Sequence, residues 1–391
     1  MYNEQLKHEL SKRWNTLQSA LQRENGDALL ITNNVNLFYV SGRVFSGAVY
    51  IALDRDPIFF VRRPTGLKGD DIVYIRKPEE IPAHLQERGF SLPKYLFLES
   101  DSLSYNEYVR YEKIFSPERI GNGSRLLREA RSIKTIYEIG RIMRSGVLHA
   151  QLYERIPSLF RPGMTDLDLS IEIERECRRL GSLGLFRIFG QSMEIFMGSL
   201  LAGDNADAPS PYDFALGGAG QDLSLPIGSN GTPLKGNISI MVDMGGNFTG
   251  YTTDMSRVFS VGKLPDLALK AHDTSLKIQQ EIIRTAHPGV PAAELYNLAA
   301  RMAEEAGLSA YFMGHRQQAG FVGHGIGIEI NEQPVLAPRS KEVLKAGMVF
   351  ALEPKFVIPE VGAVGVENSF LVTDNGLEQL TLCEEAIIPL D

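Results

Sequence analysis

Residues 238–260 read ISIMVDMGGNFTGYTTDMSRVFS. An apolar run from Ile238 to Val242 ends in an acid, Asp243. A turn rich in glycine follows, with Gly245, Gly246 and Gly250, and a second extended run carries Asp254 on into Val258 and Phe259. Apolar runs divided by glycines read as strand, turn and strand. A hairpin closing about Phe248 and Thr249 sets Asp243 opposite Asp254, and opposed residues share one face of a sheet. Two carboxylates on one face are costly to bury unless something positive lies between them. A metal ion is the simplest such group. The plain alternative is a solvated hairpin whose acids face water.

The rest of the chain bounds what that hairpin can belong to. Its 391 residues allow one large domain or two ordinary ones, and 43% hydrophobic content supports a large core. A net charge of -8 argues against a nucleic-acid partner bound through phosphate neutralisation. The two cysteines, Cys177 and Cys383, form neither a disulfide framework nor a metal-binding pair, which suits a reducing cytoplasm. The opening MYNEQLKHELSKRW is charged and lacks the apolar core of a signal peptide, and no run of apolar residues is long enough to span a membrane.

The first portion reads as a small α/β domain. Leu6, Leu10, Trp14, Leu17 and Leu21 make the apolar stripe of a helix that ends near Asn25-Gly26. Short strands follow over 28–32, 48–53, 58–61 and 95–98. No cluster of acids, His or Cys marks a site here, and His84 stands alone as a surface residue. At IGNGS (120–124) the composition changes, and the expected domains are 1–127 and 128–391. A long helix starts near Lys134 with Ile136, Ile139, Met143, Val147, Leu148 and Leu152 on one side. The next has a capping box, Thr165 with Asp168, and an apolar face of Leu169, Ile173, Cys177 and Leu180 closed by Gly181. Residues 184–235 lose periodicity. They read equally as loop and core or as the lining of a pocket, and the Phe/Met-rich stretch from Phe186 to Met197 falls among them.

Two helices over 266–286 and 291–306 lead to GFVGHGIGIEINEQP (320–334), with His324 between glycines. The last β region carries Glu353 and Glu367, related as a hairpin pair about Glu360. Two hairpins with one acid on each strand, separated by two helices, suggest a duplicated half-domain whose acids converge. Asp243, Asp254, His324, Glu353 and Glu367 are then a candidate set. Four carboxylates and one imidazole suit Mn, Co, Fe or Zn. The excess of negative charge favours two ions, a pairing that can generate a bridging hydroxide and polarise a carbonyl. Taken singly, each residue also has an ordinary reading as a solvated or loop side chain.

These segments carry a resemblance. VDMGGNFTGYTTDMSR, GHGIGIEINEQP, ALEPKF and VGVENSFLVT resemble, in order, the metal-site motifs of the pita-bread metallopeptidases, the family of aminopeptidase P and prolidase. DALLITNNVNLFYVSG resembles the creatinase-type N-terminal domain, and EARSIKTIYEI the start of the catalytic domain. The resemblance implies an α+β fold: a small α/β N-terminal domain, then a pita-bread domain with pseudo-twofold symmetry. It implies that Asp243 binds one of two divalent ions, manganese first and Co, Zn or Fe otherwise. Asp254 and Glu367 would bridge both, while His324 and Glu353 would bind the second. Glu353 and His324 would be catalytic, Glu353 relaying the proton of the bridging water. It further implies a cytoplasmic homodimer acting on a small peptide or peptide-like substrate, with no nucleic acid or membrane.

The chain also departs from that pattern. Where the family commonly has histidines it has Ile227, Gly320 and Asn331, and where prolidases often have an arginine it has Gly365. Such groups hold the substrate carbonyl, its carboxylate or the tetrahedral intermediate, and losing an oxyanion donor costs about 10²–10³ in rate. Ile227, Asn331, His315 and Arg316 are the substrate-pocket candidates. The last two could substitute for missing groups or be plain loop residues. The expectation is a Xaa-Pro-type metallohydrolase. A non-peptidase hydrolase or lyase on the same metal scaffold is the second reading, and a non-catalytic binding module the third.

Overall fold

A computed structural model describes residues 4–190 and 195–390. The chain falls into two compact units, Met1–Arg131 and Ser132–Asp391. In the first, α1 (Glu4–Arg23) buries Leu10, Leu17 and Leu21, and Asn25 turns the chain with φ 55°. Strands β1 (Ala28–Ile31), β2 (Ser46–Ala52), β3 (Ile58–Arg63), β4 (Ile72–Tyr74), β5 (Tyr95–Leu98) and β6 (Arg119–Asn122) form one sheet in the order β4-β3-β2-β1-β5-β6. The central strand β1 is buried along its whole length, as a strand covered on both faces must be.

Helix α2 (Asn34–Ser41) escapes the sequence reading because it is short and buried on most sides, so no apolar stripe marks it. Its start is tied by Glu99, a fully buried acid that accepts from the backbone N–H groups of Thr32 and Asn33 and from Asn36 Nδ2. Helices α3 (Ile81–Glu87), α4 (Tyr105–Phe115) and α5 (Gly123–Ser132) complete the unit. His84 pairs with its neighbour Glu87.

The second unit repeats one order of elements. Helices α6 (Ile136–Leu159) and α7 (Asp166–Arg179) precede strand β7 (Gly198–Ala202) and the hairpin β8 (Ile238–Asn247)–β9 (Thr252–Val261). Helices α8 (Asp266–Thr285) and α9 (Ala292–Glu305) then precede β10 (Gly323–Gly325), β11 (Glu332–Val335), and the long hairpin arm β12 (Val349–Leu352)–β13 (Lys355–Ile358) against β14 (Gly362–Gly365)–β15 (Asn368–Thr373). Strands β16 (Gly376–Gln379) and β17 (Ile388–Pro389) finish the chain. The sheets run β17-β9-β8-β7 and β11-β10-β12-β15-β16, joined by a bridge between Ser256 and Glu367.

Strand alternation decides which face holds the acids. Ile240, Val242 and Met244 on β8, with Met255 and Phe259 on β9, pack in one cluster with Leu152 and Tyr153 of α6 and Leu169 of α7. Met241 and Val258 belong to the other cluster, with residues of α8, α9 and the β12–β15 arm. Asp243 and Asp254 share the parity of Met241 and Val258, so they look away from α6 and α7.

Two expectations need correction. The β8–β9 hairpin does not close about Phe248 and Thr249. Asp254 pairs with Gly245, and Asp243 with Ser256. Asn247 Oδ1 accepts the N–H of Gly250, which takes φ 85°, so the tight part of the turn falls one residue later. The acids therefore lie diagonally on one face rather than directly opposed. The long arm does keep its expected centre: Phe356 pairs with Val364 and Leu352 with Asn368, about a turn at Glu360 with φ 65°.

The apolar face expected for α6 is right at Leu152, which is buried, and wrong nearer its start. Ile136, Met143 and Val147 are exposed, whereas Ser145, Gly146 and His149 are buried. A Cβ at residue 146 would stand 2.4 Å from Leu380 O, so the helix needs a small residue where the chain passes closest. Helix α7 matches its reading, capping box included.

Candidate metal centre

The five candidate ligands converge. Donor atoms of Asp254, His324 and Glu367 lie within 4.8 Å of one another, and so do those of Asp243, Glu353 and Glu367. Glu367 is common to both groups. His324 Nε2 stands 3.5 Å from Glu353 Oε1 and 3.7 Å from Asp254 Oδ2.

Asp254, Glu367 and the strand break beside Glu353 are held by groups that periodicity alone does not reveal. Ser256 Oγ donates to Glu367 Oε2 at 2.6 Å, from the position opposite Asp243. Ser369 Oγ accepts the N–H of Asp254 and donates to its carbonyl, locking β9 to β15. The buried Arg257 donates from Nη1 to the carbonyl of Glu367 and from Nη2 to Asn368 Oδ1. Between β12 and β13 the arm breaks at Pro354, and α8 repairs the break. Ser275 Oγ donates to Pro354 O and accepts Val366 N–H, Gln279 Nε2 donates to Leu352 O, and His272 Nδ1 accepts Gly365 N–H. Residues 272, 275 and 279 form a polar stripe at helical spacing on a buried face. That spacing is the signal by which the sequence could have shown them.

One further residue enters the cluster, and the acid-and-imidazole pattern passes over it. Lys355 Nζ lies 2.7 Å from Asp243 Oδ2, 2.7 Å from Glu353 Oε2 and 3.0 Å from Glu367 Oε2, with its side chain only 1% exposed. The signal is present in ALEPKF, where a lysine stands two residues after a ligand inside an apolar strand.

The electrostatics follow from this crowding. Burial, and then the neighbouring acids, raise Asp254 well above the usual carboxylate range. Burial also raises Glu353. Burial and then Glu353 push Glu367 up to about 8. Burial alone would lower the Lys355 ammonium, but Asp243, Glu353 and Glu367 together hold it well above its ordinary value. Burial lowers His324, which favours the neutral imidazole that a metal needs. The Asp254–His324–Glu367 group, with two carboxylates and an imidazole, fits a divalent transition metal ion. The Asp243–Glu353–Glu367 group already surrounds an ammonium.

The substrate-pocket candidates lie on the loops. Asn331 is tied to the backbone of Phe189 by two bonds, donating to its carbonyl at 2.8 Å and accepting its N–H at 2.7 Å. His315 Nδ1 meets Asp207 Oδ2 at 2.9 Å, and Arg316 bonds the same acid through its backbone N–H and Nε. Ile227 is half-buried in a loop beside Gly220. At Gly365 a Cβ would stand 2.6 Å from Pro354 O, so no arginine fits there. Phe186 lies over Gly245, where a Cβ would stand 2.6 Å from its Cδ1. Part of the Phe186–Met197 stretch, residues 191–194, lies outside the described residues.

Comparison with known proteins agrees with this geometry. Residues 140–374 match metallopeptidase family M24, and residues 13–133 match the creatinase/prolidase N-terminal domain. The chain belongs to metallopeptidase family M24, a family of metal-dependent hydrolases. An uncharacterized peptidase of Staphylococcus epidermidis is 27% identical over 387 residues, spanning 94% of this chain and 98% of that one. A Xaa-Pro dipeptidase from Bacillus anthracis is 25% identical with a TM-score of 0.79, covering 97% of this chain and all (100%) of its own. A prolidase from Pyrococcus horikoshii, at 22% identity, 96% and 100% coverage and a TM-score of 0.77, shares the fold.

Proposed function

We propose that the protein hydrolyses a short peptide or peptide-like amide at a divalent ion held by Asp254, His324 and Glu367. The observation that carries this is the convergence of those three donors, within 4.8 Å, in a chain of family M24. The likeness to the Xaa-Pro dipeptidase supports an Xaa-Pro bond as the first substrate to try. A bound divalent ion would lower the pKa of water and polarise the scissile carbonyl.

The chain's own residues do the rest. Glu353 Oε1 faces His324 Nε2 while its Oε2 is occupied by Lys355. One oxygen is therefore free to take a proton from attacking water and return it to the leaving amine. Ser256 and Arg257 keep Glu367 in place through that transfer. Phe186 over Gly245 shields the Asp254 side of the site.

Gly365 and Asn331 favour a second reading. Gly365 has no room for an arginine, and Asn331 is committed to Phe189. A substrate without a free carboxylate, cleaved by a non-peptidase hydrolase or lyase, would suit such a pocket. Chelator-stripped protein, reloaded with Mn, Co, Zn or Fe, should cleave Xaa-Pro dipeptides or peptides with proline second. Asp254→Ala should abolish this. Metal binding without turnover of any of these substrates would transfer the proposal to the second reading.

We also assign the protein to the cytoplasm as a homodimer. Two free cysteines support the first, and no helix among the described residues is long and apolar enough to cross a membrane. The exposed Ile136, Met143 and Val147 of α6 supply an apolar surface for the second. Sedimentation at micromolar concentration tests it, a monomer being the contrary result.

A further inference from the structure

The centre offers two ligand groups that share Glu367, and one of them is already filled. The Lys355 ammonium has three protons, and Asp243, Glu353 and Glu367 each lie at hydrogen-bond distance from it, at 2.7, 2.7 and 3.0 Å. A charged ammonium with every proton engaged is neither a nucleophile nor a base. What it supplies is a fixed positive charge. A transition metal ion would sit about 2.0–2.2 Å from the same oxygens. The space enclosed by three oxygens cannot hold that ion and the ammonium together.

The lysine is also poorly able to leave. It opens β13 and pairs with Gly365 across the arm, and its carbonyl accepts the N–H of Met313. The preceding carbonyl, Pro354 O, is held by Ser275. Its side chain is 1% exposed. With the main chain fixed there, rotating the side chain out would break all three ion pairs and leave Glu353 and Glu367 buried without a counter-charge.

We propose that Lys355 takes the place of the second metal ion. The centre binds one divalent ion per chain, on Asp254, His324 and Glu367, and Lys355 balances Asp243 and Glu353 where another ion would otherwise sit. This rests on the reading of the site as a metal-dependent hydrolase, but its test does not depend on turnover. Full-length protein stripped with chelator is titrated with Mn²⁺ or Co²⁺, and bound metal is measured by elemental analysis after gel filtration. The wild-type chain is expected to saturate at one ion, Lys355→Ala at two, and His324→Ala, which keeps the lysine, at none.

Two ions on the wild-type chain would overturn the proposal. So would no gain in a folded Lys355→Ala, or an ion retained by His324→Ala. The last result decides even if Lys355→Ala fails to fold. A wild-type chain that binds no ion while Lys355→Ala gains one would uphold the role of Lys355 and overturn the hydrolysis reading instead.

Discussion

Lys355 Nζ and Asp243 Oδ2 meet at 2.7 Å across 112 residues of sequence, joining the two hairpins at their acids. Lys355→Met keeps the apolar stem and removes the charge, leaving the buried Glu353 and Glu367 and the half-buried Asp243 together without it. Removing one partner of a buried ion pair costs about 3–5 kcal/mol. Urea unfolding in the presence of a chelator should show a loss of that size. A loss below about 1 kcal/mol would mean that the acids find another way to shed their charge.

Ser256 donates to the ligand shared by both groups, Glu367, at 2.6 Å. Partners that orient a metal ligand are worth about 10–100-fold in metal affinity when removed. Ser256→Ala should weaken Mn²⁺ or Co²⁺ binding by that factor in calorimetric titration, with the stoichiometry unchanged. A change in stoichiometry without one in affinity would contradict the positioning role.

Gly245→Ala tests the cover over the site. The new Cβ would stand 2.6 Å from Phe186 Cδ1 and 2.7 Å from its Cε1. Either the ring moves or the strand does, and crowding of this kind costs about 1–3 kcal/mol. Because Phe186 sits on a loop and Gly245 in a central strand, the ring should give way. Limited proteolysis should then cut near residue 186 faster, while unfolding in urea shifts modestly. Unchanged proteolysis with a large loss of stability would show the strand yielding instead.

The shared faces of the candidate acids were legible in the sequence because strand parity is rigid. Asp243 and Asp254 stay on one face although the turn between them closes one residue later than expected. The Glu353–Glu367 relation survives because the long arm keeps its centre at Glu360. Lys355 left only its place in ALEPKF as a signal, because composition treats a lysine in a strand as surface, and only the three acids from two hairpins make its burial favourable. The face of α6 was legible only at Leu152: nearer its start the helix meets the hairpin through Ser145 and His149, polar contacts that apolar periodicity does not find. Asn331 and His315 could be named as pocket candidates, but their bonds to Phe189 and Asp207 depend on loops with no period to read.

His149 gives the last test, one that depends on pH. Its side chain is wholly buried under the β8–β9 hairpin, with Nδ1 3.1 Å from Thr253 Oγ1 and its ring against Tyr153. Among the described residues, Nε2 has no hydrogen-bond partner. Burial, and then the charge of Arg257, lower it from 6.5 to about 3, with Asp243 pulling the other way. The folded state therefore holds the neutral ring, while the unfolded chain takes up a proton near pH 6.5. The stability this supplies is complete above about pH 6.5 and is lost as pH falls towards 3, at about 1.4 kcal/mol per unit. His149→Phe removes the titration and leaves an apolar ring in an apolar site. The stability gap between wild type and variant should shift in favour of the variant as pH falls from 7 to 5, read by urea unfolding at each pH. Parallel curves would show that His149 keeps its charge state on unfolding.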